Sequence, residues 1–205
     1  MDTEFEAKFY PVNKDKYRQK LRSIGAKLIV PERKMRRAII DALFHPEFTC
    51  DYIRIRDEGN LIRLSAKTHA NQTGKLSDQK EIDVEVSDYD KTIQILEQMG
   101  YKPERYQETL RETWEFEGAE ITIDTWPGLD SYSEIEVKLE GQIKSIAEKL
   151  GFNWDKKIIT AAIEIFAEVY QIGIDKALDM TSNISFENNP FAKLVKHAIM
   201  NQQSV

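Results

Sequence analysis

The chain has 205 residues, of which 41% are hydrophobic and 31% charged, with only 9 Gly and 6 Pro; this excludes a collagenous, low-complexity or wholly disordered chain and suits one sizeable core. The formal net charge of −6 argues against a general nucleic-acid binder. The one cysteine, Cys50, excludes an intramolecular disulfide framework, no apolar run reaches the roughly 20 residues of a membrane helix, and the acidic stretch Met1–Glu6 lacks a signal-peptide core, so a cytoplasmic protein without membrane contact is expected.

Taken in chain order, Glu4, Glu6 and Lys8 alternate with Phe5, Ala7 and Phe9, which predicts a strand. A helix follows over Asn13–Ile24, with Tyr17, Leu21 and Ile24 on one stripe and a stop at Gly25. Met35–Asp41 reads as a less regular strand. Tyr52, Arg54 and Arg56 alternate with Ile53 and Ile55; Arg63, Ser65 and Lys67 alternate with Ile62, Leu64 and Ala66. Thr68–Asp78 is a polar loop, solvated or lying over a mouth of the sheet. Glu81, Asp83 and Glu85 alternate with Ile82, Val84 and Val86, and a helix over Ser87–Met99 starts at a Ser cap and stops at Gly100. The strand around Arg111–Phe116 has Glu112 breaking its apolar set. Strands at Ile121–Asp124 and Glu134–Leu139 follow, then helices over Gln142–Leu150 and Asp155–Tyr170. Strand–helix–glycine units at Glu4–Gly25 and Glu81–Gly100 form a weak internal repeat. The chain divides into a domain over 1–170 and an extension over 171–205. In that extension Asn189–Ile199 predicts an amphipathic helix with Pro190 at its first position. Such a helix docks on its own domain or against a second copy in a homodimer.

Period two over so many segments predicts an α+β fold, a largely antiparallel sheet with one charged and one apolar face. The charged face is sorted: acids on the first and last strands, bases on the middle ones. If the sheet closes with the amphipathic helices outside, that face lines a lumen on which many side chains converge. Carboxylates there suit a hard cation such as magnesium, and Arg and Lys suit a polyphosphate chain. The array fits phosphoryl or nucleotidyl transfer. Other chemistries find no support: there is no phosphate-binding G-x-x-x-x-G-K-[ST] loop, no zinc spacing among His45, His69 and His197, and no G-x-S-x-G elbow.

Glu4-Phe-Glu6-Ala-Lys8 resembles the E-x-E-x-K signature of the CYTH superfamily, the triphosphate tunnel metalloenzymes. Tyr52-Ile-Arg54-Ile-Arg56, Arg63-Leu-Ser-Ala-Lys67, Lys80-Glu81-Ile-Asp83, Arg111, Asp124 and Glu134-Ile-Glu136 follow in the family's order, over about residues 3–170. The resemblance implies a closed eight-stranded antiparallel β-barrel, a tunnel that binds a small-molecule triphosphate with Mg2+ or Mn2+. Carried over by position, Glu4, Glu6, Asp124, Glu134 and Glu136 are metal-site carboxylates, with Glu4, Glu6 and Lys8 the catalytic set. Lys8, Arg54, Arg56, Arg63, Lys67 and Arg111 grip phosphates, Arg63 being the least firmly placed, and Glu81 is a supporting acid. The stretch Arg105–Arg111 holds fewer bases than many members carry there. Trp126, Tyr132 and Tyr52 are either core anchors or ring platforms for a base. Family activities include triphosphate hydrolysis and adenylate cyclisation of the class IV type. Hydrolysis is the leading reading, cyclisation the alternative, and a non-catalytic polyphosphate-binding module the third; the motifs alone do not separate the first two.

Overall fold

The computed structural model describes residues 2–3, 5–69, 79–199 and 203. Glu4 and most of the polar loop at 68–78 lie outside these. The alternating segments form strands: β1 (Asp2–Thr3), β2 (Phe5–Phe9), β3 (Lys27–Asp41), β4 (Tyr52–Asp57), β5 (Ile62–His69), β6 (Gln79–Val86), β7 (Arg105–Phe116), β8 (Ala119–Thr125) and β9 (Tyr132–Val137), with a short β10 (Asn183–Ile184). The helices are α1 (Lys14–Ser23), α2 (Tyr89–Gln98), α3 (Glu140–Leu150), α4 (Ala162–Tyr170) and α5 (Ile174–Ser182).

One sheet contains all the strands in the order β1-β6-β5-β4-β3-β7-β8-β9-β2, antiparallel throughout, with β10 added in parallel to β7. It curls into an open half-barrel, where a closed eight-stranded barrel was expected. The seam explains the difference. Among the described residues, the N-terminal segment meets β6 through two residue pairs, Asp2–Glu81 and Thr3–Lys80. On its other side β2 pairs with β9 over five, from Phe5–Val137 to Phe9–Ser133.

The outer face carries the core. Ala7 and Phe9 of β2, with Ile121, Ile123 and Ile135, pack under α1 and α3, and the Phe9 ring stacks on Phe152 at 4.4 Å. Ala38, Ile40 and Ile55 take Tyr89 and Ile93 of α2. Glu112, which breaks the apolar set of β7, is buried here because its carboxylate has two partners. It accepts from Trp114 Nε1 at 2.7 Å and from both Nε and Nη2 of Arg18 on α1.

Several local expectations change. α2 is capped by Asp88, which accepts from Lys91 N at 2.9 Å, and not by Ser87. β3 is much longer than Met35–Asp41, and its irregular pattern has a cause. Its register with β7 shifts twice, between Leu28 and Val30 and between Val30 and Arg33, around Pro31, which has no N–H for a ladder. The expected helix Asp155–Tyr170 is split: a 3-10 turn at Trp154–Lys156, then Ile158 bridging Lys8 by two backbone hydrogen bonds, then α4. Asn189–Ile199 is a turn followed by irregular chain rather than a helix. Phe191 and Ile199 explain it, because burying these two side chains, the Phe191 ring against Phe166 and Tyr170, anchors the segment at both ends. α5 was not foreseen. No helix among the described residues is long and apolar enough to cross a membrane.

Candidate functional site

Odd positions of β3 and even positions of β2, β4 and β9 turn inward, and the curl brings them round one cavity of about 480 Å3. The register fixes who faces whom: Lys8 opposite Glu134, Glu6 opposite Glu136, Lys67 opposite Glu81, Arg111 opposite Asp124. Opposed side chains on neighbouring strands lie within contact range. Among the described residues named from the sequence, Glu6, Lys8, Arg54, Arg56, Arg63, Lys67, Glu81, Arg111, Glu134 and Glu136 all line this cavity.

The charges interlock. Lys8 Nζ donates to Glu6 Oε1 at 2.9 Å and lies 3.6 Å from Glu134. Arg54 Nη2 donates to Glu81 Oε1 at 2.7 Å, and Lys67 Nζ sits 3.4 Å from the other oxygen of Glu81. Arg111 grips Asp124 with two parallel bonds of 2.7 and 3.0 Å and reaches Glu134 at 3.1 Å. Asp124 also accepts from Thr122 Oγ1 at 2.6 Å and is only 1% exposed. Its oxygens are therefore occupied by Arg111 and Thr122, and it does not line the cavity. Arg63 is half-buried at the rim, held by Asp83 at 2.5 Å.

Burial and crowding set the protonation states. For Glu6, burial pushes the carboxyl up, but Lys8 and Lys67 outweigh it and hold it well below the usual range. For Glu134, burial and then the Glu6 carboxylate push it up to about 8, against the pull of Lys8 and Arg111. Glu134 is thus held protonated where Glu6 is ionised, and the two neighbouring acids titrate as a pair. Burial works downward on Lys8, Lys67 and Arg111 as well, but acids beside each one raise it above its ordinary value. Arg56 goes the other way: burial, then Arg54 and Arg111, bring it down to about 9.

Charged cavity residues that escaped the sequence reading include Arg33, Arg37, Glu58 and Glu120. Arg37 lies opposite Arg56 in the β3–β4 register. It donates to Thr109 Oγ1 at 3.0 Å and lies 4.6 Å over the Trp126 ring. The signal for it was Arg33-x-x-x-Arg37 on one strand face, hidden by the break at Pro31. Trp126 itself is buried, its Nε1 donating to Tyr132 Oη at 3.0 Å and its ring meeting Phe166 edge-on. It is a wall of the cavity and a support for Arg37. The first turn of α4 and Thr181 of α5 complete that wall, so the C-terminal extension helps to bound the cavity.

The family model for the CYTH domain matches residues 2–161. The chain belongs to the CYTH family. Solved structures agree on the fold of this CYTH chain. A candidate adenylate cyclase of Vibrio parahaemolyticus superposes with a TM-score of 0.68 at 14% identity, covering 81% of this chain and 98% of the other. A conserved hypothetical protein of Pyrococcus furiosus gives 0.65 at 17% identity, covering 78% and 98%. A protein of Pyrococcus horikoshii gives 0.59 at 25% identity, covering 80% and 98%. No curated protein matches the chain.

Proposed function

We propose that this CYTH chain hydrolyses a triphosphate-containing small molecule with the help of a divalent cation, Mg2+ or Mn2+. The observation that carries the reading is the composition of this cavity's wall. Arg37, Arg54, Arg56, Lys67 and Arg111 face Glu6, Glu134 and Glu136 across about 480 Å3. That is a polyanion grip beside a set of hard oxygen donors.

The donor set fits such a cation in chemistry. Glu6 and Glu134 both lie against Lys8, and the Glu6 carboxylate helps to push Glu134 up to about 8; a divalent cation between them would offset both charges. Among the described residues no group of three or more His, Cys, Asp or Glu is arranged to hold a metal by itself. Glu6, Glu134 and Glu136, with Glu4 by resemblance, would share the cation with substrate oxygens. When bound, it would offset charge developing on the transferred phosphoryl group.

The protein's own share is positioning. Glu81 fixes Arg54 and Lys67, Asp124 fixes Arg111, and Glu6 fixes Lys8. Cations held this way need no reorganisation when a phosphate chain arrives, which is the electrostatic preorganisation that phosphoryl transfer demands. Asp124 is read here as the holder of Arg111 and not as a ligand.

Hydrolysis is favoured over cyclisation by the fate of the aromatic rings. Cyclisation needs the ribose held so that its 3′-hydroxyl lies in line with the α-phosphate, and so needs a seat for the base. Trp126 and Tyr132 line the cavity but are tied to each other, with Arg37 lying over the Trp126 ring where a base would stack, which makes Tyr52 the more open of the three ring platforms. The test is a panel of inorganic triphosphate, thiamine triphosphate and ATP with magnesium and with manganese, resolving orthophosphate, pyrophosphate and cyclic AMP. Orthophosphate as the main product is expected. Cyclic AMP as the main product from ATP would replace this reading by the cyclase, and turnover of none of the three would end both.

A further inference from the structure

We propose that Glu58 sets how long a phosphate chain the cavity accepts, by standing as a built-in anion at the end of the cation row. The inference rests on the reading above that the cavity takes a polyphosphate. β4 turns Arg54 and then Arg56 inward, and the strand ends at Asp57. At that end three guanidiniums converge, and a carboxylate already fills the space between them. Glu58 Oε1 accepts from Arg56 Nε at 2.9 Å, lies 2.6 Å from Arg56 Nη2, and lies 3.4 Å from Arg63 Nε. Its other oxygen lies 3.3 Å from Arg33 Nη2, and Arg33 Nε donates to the Glu58 backbone carbonyl at 2.8 Å. Guanidiniums forked around two oxygens are the arrangement that binds a phosphoryl group.

Glu58 cannot swing clear. It is only 7% exposed, and its N–H donates to Leu61 O at 2.9 Å. The turn is locked at the next residue, where Gly59 N donates to Asp57 Oδ1 at 2.9 Å with φ at +83°, a left-handed value that suits glycine. Burial opposes its charge, yet Arg56 and Arg63 hold the carboxyl below its ordinary value, so the anion persists at neutral pH. A phosphate chain that ends at Arg37 and Arg54, short of the Arg56–Glu58 pair, avoids this carboxylate. One phosphoryl group more must compete with it for three satisfied guanidiniums and sit against its negative charge in a cavity walled by protein.

The experiment compares inorganic tripolyphosphate with tetrapolyphosphate. Binding is measured by calorimetry in magnesium-free buffer, and turnover is measured with magnesium. The wild-type chain is expected to bind tripolyphosphate at least about tenfold more tightly than tetrapolyphosphate, since like charges brought together cost several kcal/mol. Glu58→Gln keeps the shape but removes the charge, and it is expected to erase most of that preference by strengthening tetrapolyphosphate binding. Glu58→Asp is expected to retain the preference. A wild type with no preference overturns the inference without recourse to any variant that might fail to fold. Equal weakening of both chains in Glu58→Gln also overturns it, because that is what loss of a purely structural ion pair gives. Orthophosphate release without the length effect sinks this inference alone. The length effect without turnover sinks the hydrolase reading alone, and failure to bind either chain sinks both.

Discussion

Glu136 lies opposite Glu6 on the inner face of the sheet and lines the cavity. Glu136→Gln keeps the shape and hydrogen-bonding reach of the side chain while removing its charge. Turnover with magnesium is therefore expected to fall at least about tenfold, with the melting temperature close to that of wild type; turnover near the wild-type rate would take Glu136 out of the site. The Glu6–Glu134 pair makes a second expectation. In the folded chain Glu134 keeps its proton up to about 8, against an ordinary value of 4.5. The folded state thus binds a proton that the unfolded state has released between those values, and stability falls as pH rises through that window. Glu6 and Glu58, both held low, titrate below it, and Arg56, brought down to about 9, titrates above it. The metal-free chain is expected to lose several degrees of Tm between pH 5 and pH 8, and Glu134→Gln to flatten that slope. A Tm independent of pH over this range in wild type would show that Glu134 does not keep its proton. At this scale the sequence was readable wherever alternation was unbroken, as in Tyr52–Arg56 and Glu134–Glu136. It was not readable for Arg37, because Pro31 shifts the register of β3, nor for Glu58, because a turn residue has no period to betray which way it points.

Among the elements, the strands were legible and the C-terminal segments were not, and the difference is physical. A strand with one wet and one packed face prints its period on the sequence. Asn189–Ile199 also prints a helical period, but Val195 is 72% exposed and Leu194 is not buried, so the middle of the stripe covers no partner. Ile199 is buried at one end and Phe191 anchors the other: Asn189 Oδ1 accepts from Phe191 N at 2.9 Å, and Phe191 lies 4.5 Å from Phe166 and 4.8 Å from Tyr170, ring centre to ring centre. That anchor meets the loop before β9 at Gly128. The backbone there has φ at +90°, Tyr170 Oη donates to the Gly128 carbonyl, and a Cβ would stand 3.0 Å from Phe191 Cβ and 3.1 Å from Asn189 Oδ1. Gly128→Ala is expected to cost about 1–3 kcal/mol from overpacking and from the left-handed backbone. A urea unfolding curve reads it as a lower midpoint at unchanged slope. An unshifted midpoint would mean that the tail does not press on the loop.

At the scale of the whole molecule, the curled sheet separates two kinds of interior. Outside it lies an apolar core under α1, α2 and α3. Inside it lies a charged cavity whose cations are matched by acids from neighbouring strands, and that matching is uneven. Arg56 is pushed down by Arg54 and Arg111 as well as by burial, and burial followed by Arg54 does the same to Arg37, which is brought down to about 10. Both therefore carry charge at a cost to the folded state that a bound polyanion would relieve. This links the site to stability in a direction opposite to ordinary packing: the empty cavity is the strained form. A ligand at about 100 times its dissociation constant adds about 2.7 kcal/mol to a fold that binds it and whose unfolded chain does not. For a chain of this size that is roughly 5–10 °C of Tm. Inorganic triphosphate with magnesium is expected to raise Tm by that order, and Arg56→Gln to reduce the rise while raising the Tm of the empty protein or leaving it unchanged. Sulfate at equal ionic strength serves as the control, since screening alone would act through any multivalent anion. A rise as large with sulfate as with triphosphate, or none with either, would show that the cavity does not select a phosphate chain.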